Sequence, residues 1–181
     1  MELPKIEEIF PRRKSSLFLA IKIEANEVKS AIWSFEDGEV ETLALGDYQE
    51  WAETKEELLV ACDASIASAV TRLKDESKRI PHELILGLPS SWIQESKVNP
   101  QRLADLHFIT RKLSLSPLGF VVNPEAITHA LKNKERDLPT AILVYLGTKD
   151  IGVSLVEDGK LIQSESVGRS DNLVLDVEEG I

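Results

Sequence analysis

The sequence contains one three-stranded pattern twice, and this internal repeat limits the possible folds more than any other feature. The first copy spans residues 20–45 and includes Glu36-Asp37-Gly38, and the second spans 143–167 and includes Glu157-Asp158-Gly159. Each copy predicts two apolar strands joined by a tight polar turn, then an Asp-Gly hairpin and a third strand. Two β-meanders of one design indicate two related lobes.

Helix and strand patterns alternate between the two copies. The predicted elements are a helix from Thr54 with Glu57 in its capping box, a strand at 83–88, a helix capped by Asn99 and broken by Pro117, a strand at 118–122, and a helix over 125–132 capped by Asn123. A further helix is predicted from Asp171, cut off at Ile181. This order predicts an α/β ribonuclease-H-like lobe, with helices on both faces of a mixed sheet, and the first half of a second such lobe.

The predicted domains are an N-terminal tail (1–15), a first lobe (16–135) and an incomplete second lobe (139–181). The second lobe ends inside a predicted helix, so we expect a longer natural chain. The net charge of −10 argues against a nucleic-acid binder, whose domain is usually basic. No apolar run approaches the ~18 residues of a membrane span, and the N-terminus lacks a secretory signal. These features predict a cytoplasmic protein.

Cysteine and histidine provide no evidence of a reactive or metal site. Cys62 is the only cysteine, and it lies on the apolar face of the first predicted helix, where a buried and inert thiol is expected. The three histidines, His82, His107 and His129, have no metal-ligand spacing. We therefore predict no catalytic residue and no metal ligand.

Four segments resemble the actin-like ATPase superfamily, which includes actin, the DnaK-type chaperones, FtsA and PilM. They are Pro89-Ser90-Ser91, the crossing region 113–131, the hairpin 141–159 and the stretch 167–171. The resemblance covers about residues 16–181 and is nearest in style to FtsA and PilM. It implies two hairpin turns that hold nucleotide phosphates, each with an Asp that orients a magnesium ion.

The chain departs from that pattern at the decisive positions. Lys22 and Glu24 stand where the family has the first Asp and Gly, and Tyr145 stands in place of the second Asp. A carboxylate at position 24 repels a triphosphate by several kcal/mol in a partly dry cleft. The phosphate-one-like residues are Lys22, Glu24, Asn26 and Lys29, and the phosphate-two-like residues are Gly147, Thr148, Lys149 and Asp150.

Two interpretations of these turns are open. In the first, Lys22, Glu24 and Lys149 are ordinary turn residues that pair across the cleft. In the second, Lys22 and Lys149 bind a different anion.

The resemblance implies a non-catalytic scaffold of the FtsA or PilM type, acting in bacterial cell division or type IV pilus assembly. It would work through protein partners or self-association, without a cofactor, and in a peripheral complex at the inner face of the cell membrane. The alternative is an ATPase of the actin and DnaK type that binds ATP and magnesium, with its remaining half outside this chain.

Overall fold

The computed structural model describes residues 15–36, 39–52, 54–73, 80–94, 97–134, 140–146 and 151–168. The N-terminal tail before Ser15, the segment 147–150 and the helix predicted from Asp171 lie outside the described residues.

The structure alternates strands and helices much as the sequence predicts. The strands are β1 (Ser15–Ile23), β2 (Glu27–Glu36), β3 (Glu39–Leu45), β4 (Gln49–Glu50), β5 (Glu83–Leu88), β6 (Ile93–Gln94), β7 (Lys97–Val98), β8 (Ser116–Val122), β9 (Ala141–Leu146), β10 (Ile151–Glu157) and β11 (Lys160–Gly168). The helices are α1 (Lys55–Thr71), α2 (Pro100–Lys112) and α3 (Asn123–Lys134), with a 3-10 turn at Ser90–Trp92. The short elements β4, β6, β7 and the 3-10 turn are too brief to give a sequence pattern.

The larger sheet, called here the first sheet, has the strand order β3-β2-β1-β5-β8, and β4 pairs with β2. Strands β1, β2 and β3 pair antiparallel, whereas β1–β5 and β5–β8 pair parallel. Parallel neighbours need crossover connections, and here the helical segments between the strands supply them. The predicted mixed α/β sheet is therefore confirmed.

Helix α1 packs on one face of the first sheet and forms the main core with it. Leu19 and Ile21 of β1 and Leu58 and Cys62 of α1 are almost fully buried in one apolar cluster. Burial, with a smaller contribution from the charge of Asp63, raises the pKa of the Cys62 thiol to about 12. The expectation that Cys62 is buried is confirmed, and its inertness stays a prediction.

The helix starts follow the predicted capping chemistry. The Thr54 hydroxyl accepts a hydrogen bond from the Glu57 amide at 3.3 Å and donates to the Glu57 carboxylate at 2.6 Å. The Asn99 side chain accepts from the Gln101 amide at 2.9 Å, directly before Pro100. These bonds satisfy amide groups that have no partner within the helix.

The prediction that Pro117 ends the second helix is wrong. Helix α2 ends at Lys112, and Ser114 has a φ of 55°, which turns the chain out of the helix. Pro117 instead lies inside β8, which among the described strands of the first sheet pairs with β5 alone. An edge strand tolerates proline because an outward-facing position needs no amide donor.

The third helix also differs from its prediction. It begins at Asn123 rather than Glu125 and ends at Lys134. The Asn123 side chain, predicted as a cap, donates from Nδ2 to the carbonyl oxygen of Ile23 at 3.0 Å. This bond ties the start of α3 to the end of β1.

The second meander forms a separate antiparallel sheet, called here the second sheet, with the order β11-β10-β9. Its hairpin turn has positive φ angles at Asp158 (49°) and Gly159 (69°), between the paired residues Glu157 and Lys160. Two consecutive positive φ values in a two-residue loop define a type I′ turn, as the Asp-Gly pair predicts. Helix α3 contacts β11 and links the second sheet to the first.

Candidate functional site

The turn between β1 and β2 is held from outside by Trp51. The Glu24 amide donates to the Glu27 carbonyl at 2.8 Å and closes the turn. The Trp51 indole donates to the Glu24 carbonyl at 3.1 Å, and the Trp51 amide donates to the Asn26 carbonyl at 2.9 Å. Because Trp51 is itself buried, these bonds fix the turn firmly.

The side chains of Lys22, Glu24 and Tyr145, called here the latch, meet at the end of this turn. The Lys22 ammonium donates to the Tyr145 hydroxyl at 2.7 Å and forms an ion pair with the Glu24 carboxylate. The Tyr145 hydroxyl donates to the same carboxylate. The Lys22 ammonium also lies 5.0 Å from the centre of the Tyr145 ring. The latch therefore connects the first sheet to the second.

The electrostatics of the latch keep Lys22 charged and Tyr145 neutral. Burial alone lowers the pKa of Lys22, but the hydrogen bonds with Glu24 and Tyr145 and the attraction of Glu24 outweigh it and raise the pKa. Burial, and then the hydrogen bond with Glu24, raises the pKa of Tyr145 to about 12. At neutral pH the tyrosine therefore acts as a bridge between a cation and an anion.

The other predicted phosphate-one-like residues do not join the latch. Lys29 is the cross-strand partner of Lys22, but its ammonium lies 4.3 Å from the centre of the Tyr48 ring. Asn26 is buried and lines a separate cavity of about 450 Å³ with Trp51 and other residues. The phosphate-two-like residues Gly147, Thr148, Lys149 and Asp150 lie outside the described residues.

A cavity of about 420 Å³ lies beside the latch, between the two sheets. Its lining residues come from several elements: Glu24, Ala25, Pro89, Ser90, Ser91, Asn123, Pro124, Tyr145, Gly152, Ser164 and Glu165. Hydroxyl groups line one side, where the Ser164 hydroxyl lies 3.4 Å from that of Ser90 and 3.0 Å from that of Ser154. Within the described residues, this lining contains two charged groups, and both are carboxylates, those of Glu24 and Glu165.

From the sequence, Tyr145 is expected only as a replacement for the second Asp of the family, and Ser164 and Asn123 are not predicted as site residues. The internal repeat already places Tyr145 at the position of Lys22, so their equivalence was visible. The contact between the Ser90 and Ser164 hydroxyls joins residues 74 positions apart and has no local signal.

The latch does not fit a magnesium-bound nucleotide. Glu24 provides its one carboxylate, and that group is already bonded to Lys22 and Tyr145. Across the described ranges, no group of three His, Cys, Asp or Glu residues could hold a metal ion. Within the same ranges, no helix is long and apolar enough to cross a membrane.

Several solved structures superpose on most of this chain. The ethanolamine utilization protein EutJ from Carboxydothermus hydrogenoformans superposes with a TM-score of 0.62 and 14% identity, over 98% of this chain and 62% of that chain. The fold is that of the actin-like ATPases.

Two further actin-like structures match. The PilM–PilN type IV pilus biogenesis complex has a TM-score of 0.64 and 12% identity, over 94% of this chain and 66% of that chain. A Ppx/GppA family protein from Aquifex aeolicus has a TM-score of 0.53 and 10% identity, over 90% of this chain and 54% of that chain. The chain thus spans less than two thirds of EutJ. No protein-family model and no curated protein matches the sequence.

Proposed function

We propose that this chain is a non-catalytic actin-like scaffold that works through protein contacts, as an FtsA- or PilM-type protein in cell division or type IV pilus assembly. The latch carries the proposal. Three mutually bonded side chains stand at the positions that the resemblance assigns to metal and phosphate binding. The similarity to a PilM–PilN complex supports a role in a protein assembly.

Charge supports this proposal over nucleotide binding. A polyphosphate entering beside the latch would meet the carboxylates of Glu24 and Glu165, since the described lining contains no cation. Breaking the latch to free Lys22 would leave the Glu24 carboxylate, which is 13% exposed, without its partner. A carboxylate that is mostly out of water is costly to leave without a charge partner.

The proposal includes the setting in which the scaffold acts. It places the chain in the cytoplasm, in a peripheral complex at the inner face of the membrane that is held there by partners. This proposed location follows the assembly role of PilM-type proteins. The lack of a spanning helix among the described residues is compatible with a peripheral location.

Calorimetry with MgATP tests the proposal directly. We expect no saturable heat with the full chain, and no phosphate release in a hydrolysis assay. Binding at micromolar concentration, or measurable hydrolysis, would overturn the scaffold assignment. The Glu24→Gly variant is the informative companion, because it removes the carboxylate and provides the glycine that the family has there. Binding by this variant alone would show that position 24 blocks an otherwise competent cleft.

The alternative is an ATPase that uses the same cleft. Two observations favour it: the cavity beside the latch is large enough for part of a ligand, and an enzyme family, Ppx/GppA, shares the fold. In this alternative ATP and magnesium bind when the latch opens, and the rest of the nucleotide site lies outside this chain. Binding of MgATP in the same calorimetric titration would favour this alternative over the scaffold.

A further inference from the structure

A second cavity, called here the acidic pocket, lies where β4 meets the start of α1. Its volume is about 450 Å³, and among the described residues it shares no lining residue with the cavity beside the latch. Cavities of ~300–1,000 Å³ are typical of ligand sites. The described lining contains three carboxylates and no cation, and it consists of Asn26, Glu50, Trp51, Ala52, Glu56, Glu57 and Val60.

The three carboxylates of the acidic pocket can accept further hydrogen bonds. Among the described residues, the Glu50 carboxylate has no bonding partner. Glu56 lies 3.9 Å from the Lys55 ammonium and is 66% exposed, so this ion pair is weak. One oxygen of Glu57 accepts from the Thr54 hydroxyl at 2.6 Å, which leaves lone pairs on both oxygens. The positive end of α1 offsets only about half a charge, so the pocket remains strongly negative.

The Asn26 side chain is an independent sign of a ligand. The residue is 8% exposed, yet among the described residues no group bonds to its side-chain amide. Within the same residues every fully buried side-chain nitrogen or oxygen has a partner, so the Asn26 amide opens into the pocket that it lines. The backbone does not require asparagine here, because the positive φ angles of described non-glycine residues occur at Ser114 and Asp158. A buried amide without a partner in the chain indicates an external one.

We propose that the acidic pocket binds an arginine side chain of a partner protein. This inference rests on the proposed scaffold function, because a protein contact supplies the arginine. A guanidinium has five N–H donors in a planar fork that matches carboxylate geometry. The Glu50 carboxylate and the Asn26 amide oxygen accept from this fork. The aliphatic stem of the arginine lies along Ala52 and Val60, and Val60 is 66% exposed at the rim.

Trp51 is the reason to expect arginine rather than lysine. Its indole is buried and donates to the Glu24 carbonyl at 3.1 Å, so it forms a fixed wall of the pocket. Guanidinium groups pack on aromatic rings more readily than ammonium groups do. The chain already contains such packing, because the Arg102 guanidinium lies 6.0 Å from the centre of the Trp51 ring and 4.9 Å from that of Trp92. The expected partner therefore presents an arginine at the contact.

NMR of the full ¹⁵N-labelled chain tests the proposal, with the indole N–H of Trp51 as the reporter. Its signal is identified by its loss in Trp51→Phe. The probes are acetyl-Gly-Arg-Gly-amide, the same peptide with lysine, and the same peptide with citrulline, which keeps the shape of arginine without its charge. We expect the arginine peptide to shift the Trp51 signal saturably. The citrulline peptide should bind about threefold to tenfold more weakly, because it forms no charge-assisted hydrogen bond.

Substitutions then locate the binding site. Glu50→Gln and Asn26→Ala should each weaken binding of the arginine peptide about threefold. Glu41→Gln is the matched control, because it removes the same charge elsewhere and should leave binding unchanged. Glu41 pairs with Ser34 and Glu50 pairs with Glu27, so the two positions lie roughly 23 Å apart along β2. Asn26→Ala should keep the urea midpoint of the native chain, because the lost amide has no partner among the described residues.

Four results would overturn the proposal. The first is the lack of a saturable shift at Trp51, and the second is equal weakening by Glu41→Gln, which would show only general attraction between charges. The third is equal binding of the lysine peptide, or tighter binding of agmatine, which would assign the pocket to another cation. The fourth is a lower urea midpoint of Asn26→Ala, which would give the amide a structural role.

These results are distinct from a failure of the scaffold function. Binding or hydrolysis of MgATP by the native chain would contradict the scaffold function, whatever the arginine peptide does. Loss of the peptide signal in a chain that does not bind MgATP would contradict the arginine site alone.

Discussion

Replacing Tyr145 with phenylalanine removes one oxygen atom from the latch and leaves the ring in place. The lost hydroxyl accepts a hydrogen bond from Lys22 at 2.7 Å and donates one to Glu24. Lys22 and Glu24 can still form their ion pair in the variant. The change therefore isolates the link between the two sheets from the charge pair within the first sheet.

The magnitude follows from the burial of these groups. A hydrogen bond to a charged group contributes about 1.5–3 kcal/mol when it is well buried. The Lys22 side chain is 39% exposed, and pairs near the surface contribute only about 0–1 kcal/mol. Glu24 is less exposed, at 13%. We therefore expect Tyr145→Phe to lower the free energy of unfolding by roughly 1–2 kcal/mol.

Urea unfolding of the variant and of a matched control provides the assay. Tyr48→Phe is the control, because Tyr48 is the other of the two tyrosines and its side chain is 60% exposed. We expect the control to stay within about 0.5 kcal/mol of the native chain, as surface substitutions usually do. Equal unfolding free energies for the two variants would refute the view that the latch joins the sheets.

Four further predictions follow from the described contacts. The free energy of unfolding should fall as the pH rises from 10 toward 12. The pKa of Tyr145 is raised from 10.0 to about 12 in the folded chain, so the unfolded chain loses that proton first. The urea midpoint of Tyr145→Phe should depend less on pH over this range than that of the native chain. The native Cys62 thiol, with its pKa raised from 9.0 to about 12, should react with Ellman's reagent at pH 8 about a thousandfold more slowly than an ordinary thiol. Ser65→Ala should cost about 1–3 kcal/mol in urea unfolding, because the Ser30 amide loses its buried acceptor at 2.9 Å. Thr54→Ala should cost about 1 kcal/mol through the lost helix cap, and thermal unfolding monitored by circular dichroism would measure it.

Sequence reasoning succeeds here wherever a few neighbouring residues determine the structure. The capping pair Thr54 and Glu57 predicts the start of α1, and Asp158-Gly159 predicts a type I′ turn because few other residues adopt two positive φ angles. The apolar runs of the repeat predict the strands, and the helices between them predict the parallel crossovers. It fails at Pro117, because only the sheet order shows that β8 is an edge strand.

The site depends on contacts that no local pattern contains. Asn123 has the sequence signature of a helix cap, yet its amide bonds to Ile23, which lies 100 residues earlier. Lys22 and Tyr145 are each visible as departures from a family pattern, but only packing of the second sheet against the first brings them to hydrogen-bond distance. The sequence by itself determined two copies of one meander, since strand and turn preferences act over a few residues. The tertiary structure alone decided that equivalent positions of the two copies bond to each other, because that contact depends on how distant elements pack.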